Sequence, residues 1–182
     1  MYDLQRWLEQ TLRSADAVAA LMQTQWAWPA AESVHFIGLT LLFGSIAAWD
    51  LRLLGVAKSV PIAAFHRLVP ISVLGFALNA TTGSMFLMTY PDQYIYNPAF
   101  HFKVLFLMLA GVNVLVFYAT TYRRVIKPGH EADTPVAARI AGAVSLLCWT
   151  AVIIFGRLLT FYRPNECRPG ETLDFLVRCF AP

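Results

Sequence analysis

Two histidines interrupt long hydrocarbon runs: His35 in "AAESVHFIGLTLLFGSIAAWD" and His101 in "NPAFHFKVLFLM". An imidazole there offers what hydrocarbon cannot, a neutral nitrogen for a metal or a site for a proton. If both runs are helices crossing a membrane in the same direction, the two rings lie at similar depth near one face. A flat macrocycle between them would take one nitrogen from each side, giving bis-histidine haem b, an electron-transfer arrangement. Lys103 follows His101 by two residues, and Arg157 sits at the matching depth of the last apolar run. Both are placed to meet haem propionates. Without haem, Arg157 has Glu32, Asp92 or a lipid phosphate as partner. Two other readings of the pair stand beside haem. One is a metal site on His35 and His101, for copper, although no Met-rich or Cys-rich cluster accompanies it. The other is a pair of histidines that only hydrogen-bond or relay protons. His66 lies at the opposite end of its run with no histidine across from it, and His130 falls in a loop, so a second haem is not expected.

Other polar groups inside the runs suggest structure more than chemistry. Asn79 and Asn113 are the middle residues of the second and third runs. Adjacent antiparallel helices would bring them together at the midplane, as an interhelical hydrogen bond of about 0.6–2 kcal/mol. Ser45 and Thr150 extend that belt. Gly38, Gly44, Gly75, Gly83, Gly111 and Gly142 imply close helix contacts without naming the partners. Asp50 and Arg52 in "WDLRLLG" read as a helix end salt-bridged to Arg67 or Arg139, ahead of half a proton path. No phosphate-binding glycine loop, GxSxG, HExxH or Cys-x-x-Cys is present, so the corresponding enzyme classes are not signalled.

The elements that must position these groups are spans. Of 182 residues, 58% are apolar and 14% charged, against roughly 45–50% and about 25% in soluble domains. A bilayer core about 30 Å thick needs roughly 20 apolar helical residues. Four stretches qualify: Ser33–Trp49, Leu68–Tyr90, Val104–Tyr122, and Ile140 through Arg157 to Tyr162. Pro70 falls in the first turn of the second span, where it is tolerated. The expected fold is all-α, a four-helix integral membrane bundle over residues 31–162. Residues 1–30 carry Leu4, Trp7, Leu8 and Leu12 at helical spacing, with Asp3, Arg6, Glu9 and Arg13 on the other faces. That is an amphipathic helix for the membrane interface, not a signal peptide. Trp26 and Trp28 read as interfacial anchors, and Tyr90, Tyr94 and Tyr96 as part of an aromatic belt.

Lys and Arg in the short loops set the orientation. The first and third connections carry Arg52, Lys58, Arg67, Arg123, Arg124, Lys127 and Arg139, and "PDQYIYNPAFH" carries none. This places both termini in the periplasm, with Arg6 and Arg13 arguing weakly the other way. The tail over 163–182 would then sit in an oxidising compartment, where Cys167 and Cys179 would close a disulfide. Cys148 reads as a small packing residue. The net charge of +3 comes with no basic run interleaved with aromatics, so no nucleic-acid partner is expected; membrane lipid is.

The segments "ESVHFIGLTLLFGSIAAWDLRLLG", "NPAFHFKVLFLMLAGVNVLVFY" and "GRLLTFY" resemble an uncharacterised family of small four-helix bacterial inner-membrane proteins. Its members share a VH-x-x-G-x-x-LLFGS opening and an NPAF-x-x-K start to helix 3. The resemblance implies the fold and no activity. The His35 position belongs to that pattern, which leaves room for a site centred on His35 with Glu32. A looser similarity to CopD-type copper-resistance proteins and small b-type cytochromes is architectural. Two functional classes follow. One is a haem b electron carrier between the quinone pool and a periplasmic redox partner. The other is a non-catalytic anchor or accessory subunit of a larger complex. Handling of copper or another small solute is third. The sequence leaves enzymatic activity open and favours an electron carrier or accessory subunit over an enzyme.

Overall fold

The computed structural model describes residues 2–13, 16–126, 134–162, 165–166 and 179–180. Helices α1 (Tyr2–Arg13) and α2 (Asp16–Met22) precede α3 (Ala27–Leu53), the first of four segments long and apolar enough to cross a membrane. The second comprises α4 (Ile62–His66) and α5 (Val69–Thr89). After a short α6 (Pro91–Ile95), the third comprises α7 (Pro98–Val116), a π-helical turn at Phe117–Thr121, and α8 (Tyr122–Val125). The fourth is α9 (Val136–Leu158). Two strands of two residues, β1 (Asn165–Glu166) and β2 (Cys179–Phe180), pair in parallel with Asn165 opposite Cys179. The chain is an integral, multi-pass membrane protein.

Local chemistry sets the helix ends. At 27 residues, α3 is about 40 Å long at 1.5 Å per residue, enough to cross the hydrocarbon core and project beyond it. It starts at Ala27, before the expected boundary, because Pro29 falls in the first turn, where its missing N–H is not needed. It ends in a Schellman turn. Gly55 takes φ +101, its N–H donates to the Arg52 carbonyl, and the Val56 N–H donates to the Leu51 carbonyl. The buried Arg52 side chain then donates to the Val60 and Lys58 carbonyls at 2.8 and 3.4 Å, closing the loop to α4. For α7 the start is Asn97–Pro98. The Asn97 side chain accepts from the Ala99 N–H at 3.0 Å and donates to the Leu159 carbonyl at the far end of α9.

In the bundle α3 packs along α5, α7 along α9, and α3 against α9 joins the two hairpins. Small residues permit this, since lipid gives apolar side chains no reason to leave the outer surface. A Cβ built on Gly75 would lie 2.5 Å from the Leu42 nitrogen, and one on Gly38 would lie 2.6 Å from Asn79 Nδ2. Gly142 of α9 lies against the Asp50 carbonyl in the same way. Large apolar residues such as Leu115 and Leu147, each 70% exposed, face outward. Two buried clusters hold the ends: Met22, Ala31 and Phe86 at the His35 end, and Leu53, Ile62, Phe117, Val125 and Ala138 at the other.

Three expectations change. Asn79 and Asn113 do not pair. Asn79 donates to the Gly75 carbonyl of its own helix, while Asn113 donates to the Ala141 carbonyl of α9, each at 3.0 Å. The reason is that α5 pairs with α3 and α7 with α9. Asp50 bonds to Ser145 of α9, and its Oδ2 has no hydrogen-bond partner, so the expected arginine does not reach that oxygen. Finally, α1 turns part of its polar side to the protein. Gln5 donates to the Ile95 carbonyl, and Tyr96 donates to Glu9 at 3.0 Å, while Leu4 and Trp7 stay exposed. Lys127, His130 and Cys167 lie outside the described residues, and with Cys167 the expected disulfide to Cys179.

Candidate functional site

At the α1 end of the bundle, three of the spans supply polar side chains: His35 from α3, Thr82 from α5, and His101 and Lys103 from α7. His35 of α3 is fixed by Thr82 of α5, with Nδ1 and Oγ1 2.7 Å apart. The Thr82 hydroxyl donates back to the Leu78 carbonyl at 2.7 Å, a bond threonine commonly makes inside a helix. With the Thr82 proton on the Leu78 carbonyl, the tautomer that completes the chain has His35 Nδ1–H donating to Oγ1 and the lone pair on Nε2. The ring lies in contact with Gly83, where a Cβ would be 3.7 Å from Cε1, and meets Phe86 edge-on at 5.7 Å. Trp28 closes the cluster from outside, 4.9 Å from Phe86 and 5.7 Å from Tyr90.

From the third span, His101 lies beside the Ile95 backbone and against Phe100. Lys103, two residues further in, extends to α9, where its Nζ would lie 3.8 Å from a Cβ on Gly156. Glycine at 156 leaves room for the lysine stem. Arg157, the next residue, is exposed, and its guanidinium lies over the Phe161 ring at 5.4 Å. The structure thus puts His35, His101 and Lys103 at the same end of the bundle. Arg157 stays on the outer surface. Thr82 and Phe86 complete the site and went unnoticed in the sequence. The available signal was Thr82 three residues after Asn79, on one face of α5.

His66, at the other end, is surrounded by aromatic rings, not by a second histidine. The Tyr118 hydroxyl lies 3.3 Å from its Nε2, Tyr122 is 5.1 Å away and Trp49 5.6 Å. Among the described residues no three His, Cys, Asp or Glu side chains come together. A metal held wholly by three such side chains therefore has no site among them. An iron that brings four nitrogens of its own needs only two.

A family model described as a family of unknown function (DUF6644) matches residues 25–162, and the chain belongs to that family. No curated protein and no solved structure matches the chain.

Proposed function

We propose that this member of the DUF6644 family is a membrane b-type haem protein that carries electrons, with His35 and His101 as the axial ligands. The observation that supports this most is the chain from the Leu78 carbonyl through Thr82 to His35. It leaves Nε2 as the ligand nitrogen and holds the ring by a partner on the other side, as ligating histidines usually are held. His101, at the same end of the bundle, is the second imidazole available to the iron. Haem supplies reversible one-electron chemistry at its iron when bound.

The remaining roles fall to the chain's own residues. Lys103 provides a cation beside the cluster for a propionate. Phe86 and Trp28 keep water from its outer side, and Thr82 keeps the His35 tautomer fixed. In this reading the electrons pass between a lipid-soluble carrier and a partner at the α1 end, in a bacterial cytoplasmic membrane with both termini periplasmic. The test is purification from cells supplied with haem, followed by a reduced-minus-oxidised visible spectrum. A b-type α-band that disappears in both His35→Ala and His101→Ala supports the reading. A folded, colourless wild-type protein overturns it and leaves an accessory subunit as the function.

A further inference from the structure

A second feature lies at the Asp50 end, away from the histidine pair. Little direct contact is made between α5 and α7 there, and a cleft of about 710 Å³ opens between the spans, its walls drawn from all four. Those walls are largely apolar, with rings from Trp49, Phe65, Phe76, Phe117, Tyr118 and Trp149. Phe117 and Tyr118 belong to the π-helical turn, a distortion that often marks functional positions in helices. One wall residue is a carboxylic acid. Asp50 is 3% exposed, bonds to Ser145, and keeps Oδ2 without a hydrogen-bond partner. Ser45, Ser72 and Asn113 add further polar atoms, and among the described residues no Lys or Arg lines the cleft.

We infer that this cleft binds a lipid-soluble quinone. With no Lys or Arg among the described lining residues, a phospholipid phosphate has no counter-charge there. A neutral planar ring with carbonyl or hydroxyl oxygens suits both features of the wall. Aromatic side chains pack its faces, and the protonated Asp50 carboxyl donates to a ring carbonyl from the oxygen that lacks a partner. The apolar remainder accommodates an isoprenoid tail, and a cleft of this volume lies within the usual range for small-molecule sites. The inference stands on the cleft and not on haem. It names the lipid-soluble carrier that the proposed function calls for, and its test is read separately.

The test is titration of the purified full-length protein in detergent with decylubiquinone, read by tryptophan fluorescence, because Trp49 and Trp149 line the cleft. Saturable quenching is expected. Asp50→Leu should weaken it about tenfold by removing the polar partner. Gly111→Phe should abolish it by filling the cleft, since nothing lies within 4 Å of a Cβ there. Gly44→Phe, equally unobstructed and outside the lining, should leave it unchanged. Quenching that is not saturable overturns the inference, as does quenching unaltered in Gly111→Phe. A copurified phospholipid that decylubiquinone fails to displace also overturns it. Saturable quenching in a protein with no haem band supports the cleft while the haem reading fails; a haem band without quenching does the reverse.

Discussion

At the scale of residues, the site depends on one hydroxyl. Thr82 accepts from His35 while donating along its own helix, so a single side chain fixes both ring angle and tautomer. Thr82→Val keeps the β-branched shape and removes both bonds. Loss of such an outer partner typically lowers affinity for the bound group about 10–100-fold, so haem transfer to apomyoglobin should be faster from the variant by a factor in that range. An unchanged transfer rate would show that the hydroxyl is only structural. Asn97 is different: it is fully buried and holds both the start of α7 and the end of α9. Asn97→Ala should cost about 1–2 kcal/mol, seen as a lower midpoint in denaturation from mixed micelles, with the optical spectrum of the folded fraction unaltered. His35, His101 and Lys103 could be picked from the sequence because each is a polar exception in hydrocarbon. Thr82 could not, since threonine in a span usually satisfies itself, and its second partner depends on which helix lies opposite.

At the scale of elements, the spans could be read from apolar length, while their neighbours could not. The glycines signalled close approach, but Gly38 and Gly44 lie six apart, so α3 alone carries no four-residue motif to indicate a partner. The contact is a crossing of Gly38 with Gly75 and a second of Gly142 with the Asp50 turn. Gly75→Val places side-chain atoms where the Leu42 backbone stands, and overpacking of this kind costs about 1–3 kcal/mol. Gly44→Val has open space and should fall within experimental error of wild type. Equal stability of the two variants would refute the helix pairing. The same pairing accounts for the asparagines. Their depth in the spans was readable, but an α5–α7 contact was assumed where the protein opens a cleft.

At the scale of the whole molecule, charge in the connections orients the four spans. The seven Lys and Arg of the first and third connections should hold those connections in the cytoplasm. Single cysteines introduced in a background without native ones test this. Val56→Cys, in the first connection, should react with a membrane-impermeant maleimide only after permeabilisation, and Gln23→Cys should react in intact spheroplasts; the opposite pattern would reverse the orientation. Helix α1 could be read as amphipathic, yet its docking through Gln5 and Glu9 onto the α6 region could not, because it requires the second and third spans to be in place first. The result is a bundle with two unlike ends, histidines beneath α1 and an acid-walled cleft opposite.

The measurement that addresses the central claim most directly is electron paramagnetic resonance of the oxidised, haem-supplied protein. Two imidazoles on one iron predict a low-spin ferric signal in the wild type and conversion to high-spin iron in His101→Ala. A wild-type protein whose bound iron is high-spin, or a low-spin signal that persists in His101→Ala, would contradict ligation by His35 and His101.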